Sequence, residues 1–346
     1  MQTLSYHLSF NTPAFMGNAQ QSAQWRTPPI KALLRQWWRV AVAWQIDYDV
    51  EKLRERENAL FGVAADGDKS SKSLVRLRLS HWSKGKLEDW PRHGTVFHPE
   101  VKNSHIGSDL YLGFGPLGYT GATTIKHKPA IHAGDSATLR LSMPEEHAQD
   151  IATALWLMHQ YAALGGRSRN GWGSLCLTPA DEHTPPLQGR PIKEWTRDWN
   201  KALTLDWPHA IGHDAHGLLV WKTRPFADWP QLIQELARLK IALRTQQFKF
   251  TTGKNAPRPE DRHWLSYPVT NHSVGSWGGS LRLPNSLRFK VRAAPENPEQ
   301  VIGVIFHMPC LPPDAFKPDT TAITRVWQQV HQLLDKPEQA LNRIDA

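Results

Sequence analysis

At roughly 150 residues per domain, 346 residues make two domains or one large one. With 40% hydrophobic and 21% charged residues, disordered and coiled-coil polymers are excluded. Two cysteines, Cys176 and Cys310, are too few for a disulfide scaffold or a cysteine-rich zinc site and fit a reducing, cytoplasmic setting; no signal-peptide pattern opens the chain, and apolar runs such as 301–306 are too short to cross a bilayer. The 41 Lys and Arg against 32 Asp and Glu leave a net charge of +9, which points to a polyanionic partner.

The chain opens on a clean alternation, with Leu4, Tyr6, Leu8 and Phe10 on one face and Ser5, His7 and Ser9 on the other. This predicts a half-buried strand over 3–10. Pro28-Pro29 opens a helix whose apolar stripe is Ile30, Leu33, Leu34, Trp37, Trp38 and Ala41. A second helix over 50–61 stops at Gly62. A flexible insert is expected at 66–73 and a strand at 74–80. The long basic stretch 81–135, rich in Gly and His, reads as an elaborate loop holding a hairpin. A strand over 137–143 precedes a helix over 144–164 with acid in its first turn, which suits the helix dipole. Gly165 stops that helix, and a strand follows at 173–178.

That order, strand–helix–strand–strand–helix–strand, is the βαββαβ arrangement of ferredoxin-like (RRM-like) domains. The proline-rich stretch 179–193 reads as a linker. Beyond it a strand is expected at 217–223, a helix at 229–244, strands at 281–292 and 301–307, and a helix at 319–335. The fold class is therefore α+β, with two ferredoxin-like domains in tandem: 1–180, carrying a long basic insertion, and a less regular 193–346.

Two cationic features stand out. Lys31, Arg35 and Arg39 recur at i, i+4 and i+8 on the first helix, with Arg26 just before it. They form a stripe suited to phosphate, or else an ordinary solvated helix face. The loop 165–173 combines four glycines with Arg167, Ser168 and Arg169. Glycine lets backbone N–H groups approach a phosphate, and two arginines beside it can fork onto oxygens; the plainer reading is a helix-to-strand turn. Lys126 and Lys128 add charge in the basic insertion.

Other signals are weaker. Residues 113–118 match G-x-G-x-x-G, but Pro116 removes a backbone donor and no helix is expected after it, so they read as a hairpin loop and not a dinucleotide site. The 17 histidines include the pairs His93/His98 and His127/His132, with no cysteine or carboxylate cluster beside them, so neither metal nor cofactor is expected. The 16 tryptophans, some next to Arg as at Trp25-Arg26 and Trp38-Arg39, suit base stacking, but most are assigned to cores.

The stretch Arg26-Thr-Pro-Pro-Ile-Lys31-Ala-Leu-Leu-Arg35-Gln-Trp37-Trp38-Arg39 resembles the R-x-P-S-I-K-G-x-L-R-x-W-W-R signature of RAMP proteins, components of CRISPR effector complexes. Thr12-Pro13-Ala-Phe-Met-Gly17 resembles their T-P-L-F-x-G entry, and Ala59-Leu60-Phe61-Gly62 their x-L-F-G. The stretch 165–174 is similar to their G-G-x-x-x-R-x-G-x-G-S loop. Residues 281–289 resemble a degenerate R-x-x-S-P-L strand motif. In combination the motifs are most similar to those of the first subunit of type III-B (Cmr) complexes. Ala32 stands where the family usually has Gly.

The resemblance implies two RAMP domains in a cytoplasmic ribonucleoprotein of antiviral defence. It further implies a non-catalytic subunit that contacts crRNA, single-stranded target RNA and other subunits, but no membrane. Its RNA-binding residues would be Arg26, Lys31, Arg35, Arg39, Lys126, Lys128, Arg167, Ser168 and Arg169. The alternative is a metal-independent endoribonuclease that processes crRNA.

Overall fold

The computed structural model describes residues 1–66, 69–102 and 104–344. They form two compact units, neither continuous in sequence: 1–92, 113–195 and 290–297 make the first, and 93–112, 196–289 and 298–346 the second.

The first unit is built on β1 (Gln2–Phe10), α1 (Thr27–Val42), α2 (Val50–Phe61), β2 (Arg76–Leu79), β3 (Ser136–Met143), α3 (Ala148–Tyr161) and β4 (Leu175–Pro179). The strands form one antiparallel sheet in the order β4-β1-β3-β2, with Leu8 opposite Leu177, Leu4 opposite Leu141 and Leu77 opposite Leu141. Alternation explains why one face is dry: Leu4, Tyr6, Leu8 and Phe10 of β1 and Ala137, Leu139, Leu141 and Met143 of β3 are all buried. α1 packs on α3, α1 on β2 and α3 on β4. The apolar stripe of α1 sinks into this core, where Trp37 stacks on Tyr161 at 6.1 Å and Trp38 meets Phe61 edge-on at 5.5 Å.

Several details depart from the expectations. The helix expected over 144–164 begins as a single 3-10 turn and ends at Tyr161; its cap, Ala162, is extended, so Gly165 lies beyond the helix and does not cap it. Part of the insert expected at 66–73, residues 67–68, lies outside the described residues; Val63–Asp66 and Lys69–Ser71 pair as short antiparallel strands. The expected linker 179–193 is fastened to β1. There the Thr184 hydroxyl accepts the Ser5 N–H at 2.9 Å, and the Ala180 N–H donates to the Ser5 carbonyl.

The basic stretch 81–135 holds two hairpins, Thr95–Phe97 with His105–Gly107 and Leu117–Tyr119 with Thr123–Ile125, separated by a short helix Ser108–Gly113. It is divided between the units, with 93–112 in the second.

Residues 290–297 join the first unit. Lys290 is wholly buried, and its side-chain nitrogen donates to the carbonyls of Ala162 and Leu175. Beside it the Val291 N–H donates to Ser174 Oγ at 2.8 Å, and Asn11 Nδ2 donates to the Val291 carbonyl at 3.0 Å.

The other main elements are β5 (Val220–Thr223), α4 (Trp229–Ile241), β6 (Leu287–Ala293), β7 (Val301–His307), α5 (Thr320–Leu334) and β8 (Leu341–Arg343), with sheet order β6-β7-β5-β8; they belong to the second unit except for residues 290–293 of β6. Trp221 of β5 faces Ile305 on one side and Arg343 on the other. The strand expected at 281–292 starts only at Leu287. Pro284 lacks the N–H a ladder needs, and Leu283 pairs instead with Tyr267 as an isolated bridge. α4 continues as a π-helical turn through Ala242–Gln246.

Two outcomes follow from this packing. Leu34→Ala, at a wholly buried position, lowers the unfolding free energy by about 2–5 kcal/mol in urea titration through cavity formation. Burial drives the pKa of Lys290 well below its usual 10.5. Between that depressed value and the ordinary one the unfolded chain binds the extra proton, so stability rises with pH in this window. Urea titrations across the window, compared with Lys290→Met, lose that slope in the variant.

Candidate nucleic-acid interface

The glycine-rich loop is anchored to the segment leaving β1. Thr12, buried, donates its hydroxyl to the Gly171 carbonyl at 2.7 Å and accepts the Ser174 N–H at 3.0 Å. The Ser174 hydroxyl donates to the same Gly171 carbonyl at 2.8 Å. The N–H groups of Gly166 and Gly173 donate to the carbonyls of Phe15 and Pro13, each at 2.9 Å. Glycine is required at two of these positions. At Gly165 φ is +100°, and a Cβ would stand 2.7 Å from the Phe15 carbonyl; at Gly173 φ is +65°, and a Cβ would stand 2.0 Å from that of Leu164. Phe15, Trp90 and Trp172 pack together in the same region, with ring centroids 5.4–5.9 Å apart.

Arg167 rides on this frame, itself left-handed at φ 58°, and is exposed. Its Nε donates to the Phe114 carbonyl at 2.5 Å, and partial burial lowers its pKa. Ser168 and Arg169 continue the same turn, in which the Asn170 N–H donates to the Arg167 carbonyl and the Gly171 N–H to that of Ser168. Lys126 places its ammonium 4.9 Å from the centroid of the Phe114 ring. Arg167 and Lys126, 41 residues apart in sequence, thus meet at one residue. Lys128 points its charge at Asp89, 3.0 Å away, in an exposed pair worth at most about 1 kcal/mol.

The stripe on α1 is not a free cationic face. Glu57 of α2 is buried and receives Arg35 Nε at 2.7 Å and Arg39 through Nε at 2.6 Å and Nη2 at 2.7 Å. Burial pushes the Glu57 pKa up, but the hydrogen bonds from Arg39 and Arg35 outweigh it, and the net shift is downward. Two guanidiniums share one carboxylate, so a positive charge remains, with the side chains of Arg35 and Arg39 35% and 41% exposed. Lys31 is half-buried, and desolvation with Arg35 nearby lowers its pKa. Arg26 is the N-cap residue of α1; its Nε is buried with no hydrogen-bond partner among the described residues.

Three functional residues escaped the sequence reading. Glu57 carried a signal: Leu53, Glu57 and Leu60 fall at i, i+4 and i+7, so a carboxylate sits on the apolar stripe of α2 and demands a cation. Thr12 and Phe114 carried none beyond their motifs, because their partners lie 159 and 53 residues away. Among the described residues, no three His, Cys, Asp or Glu side chains stand where they could share a metal ion. Among the described residues no helix is long and apolar enough to cross a membrane.

Residues 7–176 match the model of the RAMP superfamily. The chain is similar to the CRISPR system Cmr subunit Cmr1-1 of Pyrococcus furiosus, 28% identical over 156 residues, which are 45% of this chain and 41% of that protein. It is also similar to Cmr1-2 of the same organism, 24% identical over 182 residues, covering 49% of this chain and 92% of that protein. The crystal structure of Cmr1 from P. furiosus in its apo form aligns over 97% of this chain and 98% of that one, with 16% identity and a TM-score of 0.48.

Glu57→Gln keeps the shape and removes the charge, and lowers stability by about 1–3 kcal/mol at neutral pH. Because the folded pKa of Glu57 is depressed, its contribution is present above the unfolded carboxylate value of about 4.3 and disappears as pH falls through the folded one. Urea titrations of the two proteins therefore converge in acid.

Proposed function

We propose, from the match of residues 7–176 to the RAMP superfamily model, that the protein is a non-catalytic RNA-binding subunit of a type III-B CRISPR effector, contacting crRNA and single-stranded target RNA beside other subunits. The observation that carries this reading is the glycine-rich loop. It is fixed at its base by Thr12 and Ser174, and at its tip it presents Arg167 next to Lys126. A rigid turn that offers charge-assisted donors at its rim is what phosphate recognition requires. Arg26, Lys31, Arg35 and Arg39 extend the positive field along α1, with Glu57 fixing the arginine geometry. Ser168 and Arg169 add contacts at the rim, and Lys128, beside Asp89, adds charge in the insertion.

We read the two units as tandem ferredoxin-like domains drawn from 1–180 and 193–346, with 93–112 grouped in the second unit and 290–297 in the first. Support comes from the two sheet orders, β4-β1-β3-β2 and β8-β5-β7-β6, which coincide strand for strand when each unit is read as βαββαβ. The chain spans 41% of the length of Cmr1-1, the curated relative it matches at 28% identity. General-base chemistry is poorly served by the buried histidines: desolvation holds His159 and His209 at about 4 and His331 at about 3, too weak to take a proton efficiently near neutrality.

Titration with single-stranded RNA checks the reading. Binding weakens steeply with salt and shows little sequence preference. Arg167→Ala and Arg169→Ala each cost about 1.5–3 kcal/mol of affinity while stability stays within about 0.5 kcal/mol. Salt-independent binding, or arginine variants that melt early and bind normally, refutes the phosphate clamp.

A further inference from the structure

The G-x-G-x-x-G stretch 113–118 is not a dinucleotide loop, and its glycines have other work. Gly118 makes room for the stem of Lys126: a Cβ there would stand 2.7 Å from Lys126 Cε and 3.1 Å from its Cγ. Gly115, at φ +122°, takes a backbone conformation that L side chains rarely adopt, and it lies beside the Arg167 guanidinium, 3.5 Å from a Cβ position to Nε and Nη2. Between them stands Phe114, 58% exposed, with its carbonyl held by Arg167 and its ring facing Lys126. The hairpin Leu117–Tyr119 with Thr123–Ile125 begins three residues later and carries a second ring, Tyr119, 67% exposed.

We propose that Phe114 is a stacking platform for an unpaired nucleobase, with Lys126 and Arg167 flanking it to take the adjoining phosphates. The inference deepens the RNA-binding reading and rests on it. An exposed ring is by itself unremarked on a protein surface. What sets this one apart is the pair of cations on it, one at the ring face and one at the backbone beneath. A nucleotide offers the matching pair, an aromatic face next to an anion, and aromatic platforms with flanking cations are sequence-tolerant because every base has a π-face. An apolar peptide seated on the ring would meet these two cations and bring no anion to match them. Lys126 lies over one face of the ring, and a base stacking there displaces its ammonium toward the adjoining phosphate.

The test titrates the full chain with fluorescently labelled single-stranded RNA and with the same strand made abasic, for wild type, Phe114→Leu and Phe114→Trp. Phe114→Leu keeps an apolar side chain and removes the π-face. The expected result is a loss of roughly 5- to 150-fold in affinity for RNA, with little change on the abasic strand, an unchanged salt slope and an unchanged melting temperature. Phe114→Trp binds RNA at least as tightly as wild type. Equal RNA binding by wild type and Phe114→Leu overturns the platform while leaving the RNA-binding reading intact. So does an equal loss on the abasic strand, which would make the ring a support for the loop. Unchanged RNA affinity with lost association to another protein assigns the ring to a protein contact and also overturns it. A wild type that binds neither strand refutes the RNA-binding reading itself, and this inference with it.

Discussion

One end of the first unit is fastened by a buried hydroxyl. Thr12 both donates to the Gly171 carbonyl and accepts the Ser174 N–H and, with the Gly166 and Gly173 N–H groups on the Phe15 and Pro13 carbonyls, closes the loop that leaves β1 against the loop that enters β4. Both strands are neighbours in the sheet, and the register Phe10 opposite Leu175 brings the two loops out at the same end. Once they are joined, the turn between them has few conformations left. Its rim is a fixed platform for Arg167, Ser168 and Arg169. In an unfastened glycine-rich turn, ordering on a ligand would cost conformational entropy for each residue fixed; here folding has already supplied most of that order.

The same region shows how the fold handles buried cations. Lys290 is sealed in with two backbone carbonyls, those of Ala162 and Leu175, and its pKa falls because burial penalises the ammonium. Arg35 and Arg39 are treated differently. They remain near the surface and share Glu57, whose carboxylate stays ionised because two guanidiniums outweigh its burial. The first arrangement stabilises a packing contact at some electrostatic cost. The second fixes two guanidinium planes and leaves net positive charge at the surface.

The glycines of 113–118 belong to this same economy of space. A motif that in another context admits a pyrophosphate admits lysine and arginine side chains here, because the helix Ser108–Gly113 precedes the glycines and a hairpin follows them. Removing side chains from a loop creates room, and which group fills the room is decided by the elements around it.

Periodicity alone was enough for the local elements. Alternation at Leu4, Tyr6, Leu8 and Phe10 gives β1, and the stripe from Ile30 to Ala41 gives α1, because side-chain period and backbone geometry are local properties. The motifs around Arg26 and Gly165 likewise made the superfamily legible before any coordinates. What the sequence could not determine is whatever depends on partners distant along the chain. Strand 287–293 contributes Lys290 to the first unit; residues 93–112 leave their neighbours for the second; the linker Thr184 holds Ser5. The charge stripe on α1 looked unopposed because Glu57 lies 18 and 22 residues from its arginines on another helix. Tertiary packing alone placed Arg167 and Lys126 at Phe114, since contacts across 53 and 12 residues follow from how loops close and not from spacing along the chain.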